Sequence, residues 1–324
     1  MRIAVIGLGA VGTRAARQVA STAEVESVVV ADPKADRVGE VVASLGTKAV
    51  SHSLSAGLPE ADVVILATPP GLQAPLADTL VARGTSVVCT TDGVHETRQL
   101  LDLGPEAEAR GVTVAIGAGF APGLSCVLAR FAADRFDTVD EIHVARLGTG
   151  GPACARQHHA ALGGEAIDWR DGGWQRRPAG SGRELVWFPD PIGGADCYRA
   201  ELPDAVLLVP AFPGVGRVTA RLAATRRDRL TARLPMVRRP HPEGGLGAIR
   251  VEVRGRGPEG IDVQILGAMD RPGVAGGAVA ALVAVDVAAG RTRGPGASGL
   301  AGLVDAPAFL GALAHRGVKV ARFA

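Results

Sequence analysis

Charge of one sign, clustered cysteine, aromatic bulk and a long unbroken apolar run are all scarce or missing in this chain of 324 residues. Its 35 Lys and Arg stand against 33 Asp and Glu, a net charge of +2, so no global field draws it to nucleic acid or to an anionic membrane. The basic run Arg226 to Arg239 has no aromatic partners and reads as a solvated surface segment, not a nucleic-acid face. The four cysteines, Cys89, Cys126, Cys154 and Cys197, are widely spaced and form no C-x-x-C, which argues against a disulfide scaffold and for a reducing compartment. The most apolar stretch, Val274 to Ala289, is built of Ala, Gly and Val and is interrupted by Asp286, as in a packed helix and unlike a membrane span. Arg2 leads straight into an apolar strand pattern, so no signal peptide is expected, and a cytoplasmic location follows as the expectation.

What is present begins at once. The strand pattern Arg2-Ile3-Ala4-Val5-Ile6 runs into Gly7-Leu8-Gly9-Ala10-Val11-Gly12, and an amphipathic segment, Thr13 to Ala20, follows. A second β-branched run, Val28-Val29-Val30-Ala31, ends on Asp32, twenty positions beyond Gly12. Strand, G-x-G-x-x-G, helix and a distal acid are the parts of a dinucleotide site. Gly7 permits the tight turn, Gly9 admits the pyrophosphate to the backbone, and Gly12 lets the helix lie close to its strand. The free N–H groups of Ala10 and Val11 then face the phosphates. Asp32 is placed to accept hydrogen bonds from an adenosine ribose. It favours NAD by repelling a 2′-phosphate, while Lys34 and Arg37 could offset that repulsion and leave NADP possible.

Strand and helix signals alternate through the first 120 residues, the pattern of a parallel sheet with crossover helices. Strands are expected at Asp62 to Ala67, Thr85 to Thr90 and Val112 to Ile116, with helices at Leu72 to Arg83 and Glu96 to Arg110. Ligands bind beyond the carboxyl ends of such strands, so Thr68-Pro69-Pro70, Thr91-Asp92 and Gly119-Phe120 should join the glycine loop in one crevice. The character changes after Leu124. A helix at Ser125 to Arg135 and another at Ala153 to Leu162 flank a half-buried strand at Glu141 to Arg146. Asp168 to Pro191 reads as irregular, and period-two alternation returns at Arg217 to Leu222, Ala248 to Arg254 and Gly260 to Leu266. Val274 to Ala324 reads as mainly helical, with a surface loop at Arg291 to Gly299. The fold class is α/β: a Rossmann dinucleotide-binding domain (residues 1–123), joined to a second α+β substrate and dimerisation domain (residues 124–269). The C-terminal segment (residues 270–324) is expected to pack back on the first domain.

The segment Leu101 to Val114, continued by Gly117-Ala118-Gly119-Phe120-Ala121-Pro122-Gly123-Leu124-Ser125, resembles the saccharopine dehydrogenase-like family. The likeness is nearest to its lysine 6-dehydrogenases and saccharopine reductases, whose nucleotide domain ends in a G-x-x-P-G-hydrophobic-S/D loop. Asp270-Arg271-Pro272 and the small-residue helix after it also resemble that group. The middle, Leu147 to Pro203, resembles neither enzyme closely enough to transfer a substrate. The resemblance implies an NAD(P)-dependent enzyme acting at the carbon–nitrogen bond of an amino acid or secondary amine, assembled through its second domain as a homodimer or higher oligomer.

That chemistry needs a base for the nitrogen and a clamp for a carboxylate, commonly arginine because its planar fork binds both oxygens. Asp92 and His95, just past a strand, are catalytic candidates, as are His158 and His159. Arg146, Arg156, Arg217 and Phe120 are substrate candidates. Cys154 and His158 stand four apart on one helix face and could hold zinc, but no second pair completes a four-ligand site, so no metal is expected. Trp169, Trp174, Trp187, Phe188 and Tyr198 read as a pocket lining or a small satellite core. Two rivals stand beside an amine dehydrogenase. One is an alcohol or sugar dehydrogenase, whose usual strand-end Lys-Pro is missing here, and the other is a non-catalytic dinucleotide sensor or scaffold.

Overall fold

The computed structural model describes residues 1–236 and 239–323. Val237 and Arg238, inside the basic run Arg226 to Arg239, and the terminal Ala324 lie outside the described residues. The first half runs β1 (Arg2–Ile6), α1 (Ala10–Ala20), β2 (Ser27–Ala31), α2 (Ala35–Leu45), β3 (Ala49–Ser51), β4 (Val63–Leu66), α3 (Gln73–Ala82), β5 (Ser86–Cys89), α4 (Val94–Leu101), α5 (Gly104–Arg110) and β6 (Thr113–Ile116). The middle follows as α6 (Leu124–Ala133), β7 (Thr138–Leu147), α7 (Pro152–Ala161), β8 (Glu165–Arg170), β9 (Gly173–Pro178), β10 (Glu184–Phe188), β11 (Gly193–Arg199), α8 (Asp204–Leu208), β12 (Arg217–Ala223), α9 (Arg226–Thr231), β13 (Gly247–Gly257) and β14 (Gly260–Asp270). The tail holds α10 (Pro272–Ala288), β15 (Gly296–Gly299), α11 (Leu300–Leu303), α12 (Ala306–His315) and β16 (Val320–Arg322).

The first sheet has the order β15-β6-β5-β4-β1-β2-β3 and is parallel throughout. Its central strands are buried Val, Ile, Leu and Ala runs, as a sheet covered on both faces requires. The carboxyl ends of its strands therefore all open on one edge. This is a Rossmann fold, joined to a second, mixed sheet of order β10-β11-β12-β7-β13-β14-β16, with β8 and β9 attached through β12. In that sheet β12 runs parallel to β7 and the other pairs are antiparallel.

The apolar stretch at Val274 forms α10, which packs on α1 across glycine. A Cβ on Gly277 would meet the Arg14 Cβ at 2.6 Å, so only glycine lets the two backbones come this close. Asp286, the charge that interrupts the stretch, bonds Arg291 Nε at 2.8 Å. Among the described residues no helix is long and apolar enough to cross a membrane.

The structure departs from the sequence expectations in four places. Glu96 to Arg110 is two helices, α4 and α5, because Pro105 has no N–H to continue the first. Asp168 to Pro191 is not irregular: it holds the end of β8, all of β9 and β10, and a turn with Asp171 at φ 49°. Exposed arginines at the successive positions Arg176 and Arg177 hide its alternation. Arg291 to Gly299 is not simply a surface loop, since Gly296–Gly299 adds a parallel strand beside β6. A run of Gly, Ala and Ser carries no hydrophobic signal, and its strand character lies in backbone pairing alone. The tail also reaches both sheets: α10 and β15 join the first, and β16 pairs β14 of the second.

Candidate active site

The crevice at the carboxyl edge of the first sheet has a volume of about 490 Å³ and is roofed by the Leu147–Gly151 turn and the start of α7. At one end, Gly7 sits at φ 94°, and a Cβ there would meet the Ala67 carbonyl oxygen at 2.6 Å. A Cβ on Gly12 would meet the Gly7 oxygen at 1.8 Å, whereas a Cβ on Gly9 would meet nothing within 4 Å. The first and third glycines are therefore packing requirements, and the second leaves open space in the crevice. The N–H groups of Ala10, Val11 and Gly12 precede the first intrahelical bond, Thr13 to Gly9, and α1 has no acidic residue in its first turn. These features fit a pyrophosphate.

Asp32, at the end of β2, accepts from the Leu8 N–H at 2.8 Å and the Lys34 N–H at 2.9 Å. A carboxylate has about four lone-pair sites, so two remain for ribose hydroxyls. Arg37 Nη1 approaches Asp32 Oδ2 at 3.9 Å and lines the same crevice. Asp32→Ala should weaken NAD binding by about tenfold or more, given 1.5–3 kcal/mol for a hydrogen bond to a charged group, and should relax discrimination against NADP. Calorimetric titration with both cofactors checks this, and unchanged affinities would remove Asp32 from the ribose site.

Three strand positions separate β2 from β5, about 14 Å at the usual inter-strand spacing. Beyond β5 lies Asp92. Its Oδ2 stands 3.0 Å from His158 Nε2 and 3.7 Å from Cys154 Sγ, and that sulfur is 3.5 Å from the same ring nitrogen. Cys154 and His158 project from one face of α7 at positions i and i+4. The second ring nitrogen, Nδ1, is buried without a partner among the described residues. Cys154 and Asp92 therefore meet one and the same nitrogen. A nucleophile–base–acid relay would need them on opposite nitrogens, so the arrangement is not one.

Burial alone would lower the His158 pKa, and the Arg146 charge adds to that. Cys154 and the Asp92 carboxylate outweigh both and raise it to about 9. Burial pushes Asp92 up, but the hydrogen bond and charge of His158, followed by Arg146, hold it below the usual carboxylate range. Asp92 is thus an anion and His158 a cation at neutral pH. The raised His158 pKa contributes stability that is full below pH 6.5 and lost as the pH rises through about 9. The lowered Asp92 pKa contributes stability that is lost in acid as its carboxylate protonates. The three donor atoms lie within 4.8 Å of one another, a set the sequence could not foresee because Asp92 comes from another sheet's loop. Three donors fall short of the four of a structural zinc site, and a shared proton already joins two of them.

Arg146, at the end of β7, is 2% exposed and lines the crevice beside this pair. Its Nη1 donates to the Ala121 carbonyl, while Nε and Nη2 have no partner among the described residues. Behind it lies fully buried Asp204, whose carboxyl burial pushes up against the lowering effect of Arg146 and of Ser125, 3.1 Å away. Burial also raises Cys89 and takes Cys126 and Cys197 to about 12, leaving them inert as nucleophiles.

A buried carboxylate fixes the loops that shape this end. Glu96 Oε1 accepts from the N–H groups of Gln73 (2.7 Å) and Ala74 (3.3 Å) at the start of α3, and Oε2 accepts from Thr91 Oγ1 at 2.7 Å. Gln73 then donates to the Thr68 carbonyl at 3.1 Å and accepts from the Thr91 N–H at 3.1 Å. Glu96→Ala should cost about 2–4 kcal/mol of stability, because it strands buried donors on two loops at once. The urea midpoint measures that loss, and a change under 0.5 kcal/mol, about the effect of an ordinary surface substitution, would refute the tie.

Of the residues singled out in the sequence, the crevice gathers Gly7, Gly9, Ala10, Val11, Asp32, Lys34, Thr68, Pro69, Pro70, Thr91, Gly119 and Phe120, with Asp92, His158, Arg146 and Arg156. Leu8 and Gly12 serve from beneath, one through its N–H and the other through packing. Three candidates lie elsewhere. His95 is exposed on α4, away from the lining. His159 turns about 100° from His158 around the helix and bonds the carbonyls of Thr231 (2.8 Å) and Leu234 (3.2 Å). Arg217 pairs with Glu141 in the β12–β7 register, and strand alternation puts that position on the face opposite Arg146. The aromatic group is also outside the crevice: Trp169 and Trp174 stack edge-on at 5.0 Å, Phe188 joins a small separate core, and Arg229 covers Tyr198. Gln73, Glu96 and Asp204 carried no signal, since each works through a partner far along the chain.

Residues 1–117 match the model of a family described as an oxidoreductase family with an NAD-binding Rossmann fold, GFO_IDH_MocA, over just more than a third of the chain. Among solved structures, saccharopine dehydrogenase (L-Glu forming) from Saccharomyces cerevisiae is similar over 100% of both chains, with TM-score 0.71 and 15% identity. DAP dehydrogenase of C. glutamicum, in complex with DAP, gives TM-score 0.52 at 14% identity, covering 96% of this chain and 95% of that one. Amine dehydrogenase from Mycobacterium smegmatis gives TM-score 0.52 at 12% identity, covering 94% and 96%. These likenesses establish the two-part architecture.

Proposed function

We propose that the chain is an NAD-dependent oxidoreductase that interconverts amine and imine at the carbon–nitrogen bond of an amino acid. The observation that carries this is Arg146: a guanidinium 2% exposed, lining the crevice beside the Asp92–His158 pair, with two nitrogens unpartnered among the described residues. A buried cation with free donors costs stability unless a ligand anion completes it, and its fork matches a carboxylate. Three fold relatives are by name dehydrogenases of saccharopine, DAP and amines, but fold likeness alone carries no chemistry, so the reading rests on the site.

Bound along Gly9 and Asp32, a nicotinamide dinucleotide supplies the two-electron exchange. The chain's own residues do the rest. Arg146 holds the substrate carboxylate and so fixes which carbon faces the cofactor. His158 holds the proton that the nitrogen gives up in one direction and regains in the other, at Nδ1, the ring nitrogen without a partner among the described residues. Asp92 at Nε2 keeps that ring oriented and charged. Phe120 and the roof of α7 limit water.

The test is cofactor reduction, with NAD and NADP separately, against L-amino acids and diamines. Turnover of carboxylate-bearing amines sustains the proposal. Turnover of polyols instead would move the chain to the alcohol and sugar dehydrogenases. Tight cofactor binding with no turnover in either direction would make it a sensor.

A further inference from the structure

A second concavity, of about 400 Å³, lies on the outer face of the second sheet and shares no residue with the crevice. Five arginines line it, Arg170, Arg177, Arg199, Arg217 and Arg221, against two aspartates, Asp168 and Asp171. The strand register makes this crowding obligatory. Arg217 on β12 stands directly opposite Arg170 on β8, and Arg221 directly opposite Arg199 on β11. Like charges directly across a ladder repel, and here the register produces two such pairs within one recess.

The acids present do not discharge them. Asp168 alone serves both members of the second pair, with Arg221 Nη1 at 3.2 Å and Arg199 Nε at 3.7 Å. Arg221 is 6% exposed, yet its Nε has no hydrogen-bond partner among the described residues, and neither has the buried Nε of Arg199. Glu184 reaches Arg221 Nε only to 3.8 Å, and Glu141 reaches Arg217 only to 3.9 Å while also facing His143 and Arg254. Asp171 is taken by Arg170 at 3.3 Å.

From this we infer that the recess is a binding site for a small multivalent oxyanion of the phosphate class, separate from the dinucleotide crevice and independent of the reaction proposed above. Guanidinium forks bind tetrahedral oxyanions through paired N–H donors, and an anion placed among the two pairs turns their repulsion into attraction. The concavity favours a small anion over a protein surface: its deepest cation, Arg221, lies below the rim formed by Arg170 and Arg217, which are 63% and 40% exposed at their side chains.

The experiment uses the full chain saturated with NAD, so that the crevice is filled, and adds sodium pyrophosphate or inorganic phosphate against sodium chloride at matched ionic strength. Calorimetry should give a Kd below about 1 mM for pyrophosphate in 0.15 M chloride, with Tm rising by about 4 °C near a hundredfold excess over Kd. Arg217→Ala and Arg170→Ala, at the exposed rim, should weaken pyrophosphate at least tenfold while leaving NAD affinity unchanged. Without the anion both variants should melt no lower than the parent, because each removes one member of a repelling pair. A parent Tm that responds equally to chloride overturns the site. So does a pyrophosphate response retained in both variants, which would place the anion elsewhere.

Discussion

Arg146→Ala should abolish measurable turnover of carboxylate-bearing amines while NAD still binds. Truncating one member of a buried charged pair costs about 2–5 kcal/mol, which is roughly thirtyfold to several thousandfold in kcat/KM at 1.4 kcal/mol per decade. The loss should depend on the substrate: an amine without a carboxylate gains nothing from the guanidinium and should be affected least. Arg146→Lys keeps the charge but not the fork, so it should recover part of the rate and little of the orientation. Because Arg146 also sits between Asp92 and Asp204, folding is checked separately by melting and by NAD titration. Equal losses on substrates with and without a carboxylate would show that Arg146 supports the site without touching the substrate, and the amino-acid reading would fall with it.

The second large effect concerns the proton. With the His158 pKa raised to about 9, the ring is protonated through the neutral range. Amine oxidation requires it to accept a proton, so that rate should climb about tenfold per pH unit and level off above about pH 9. Imine reduction uses the protonated ring, so its rate should stay level and fall above the same pH. His158→Gln should lower kcat by about 10²–10⁴-fold and erase the break from both profiles. Asp92→Asn should move the break to lower pH, because removing the carboxylate leaves burial and Arg146 less opposed. A wild-type break that survives in His158→Gln would assign the proton to another group.

The nucleotide half of the molecule was legible before any coordinate. Its three motif glycines, its first two buried strands and Asp32 lie within the first 32 residues, and each works on a neighbour along the chain or one strand away. The rest of the candidate site was legible only as residue types. His158 and His159 are indistinguishable in sequence, but a helix turns successive residues about 100° apart, so one faces Asp92 and the other the carbonyls of Thr231 and Leu234. Arg146 and Arg217 both read as strand arginines, and the β7–β12 register put them on opposite faces, one in the crevice and the other in the anion recess. The sequence by itself determined a dinucleotide fold, because that signal is local and periodic. Only the tertiary structure decided which acid, imidazole and guanidinium meet: Asp92 and His158 are 66 residues apart, and their encounter depends on strand parity, helix rotation and the docking of two sheets.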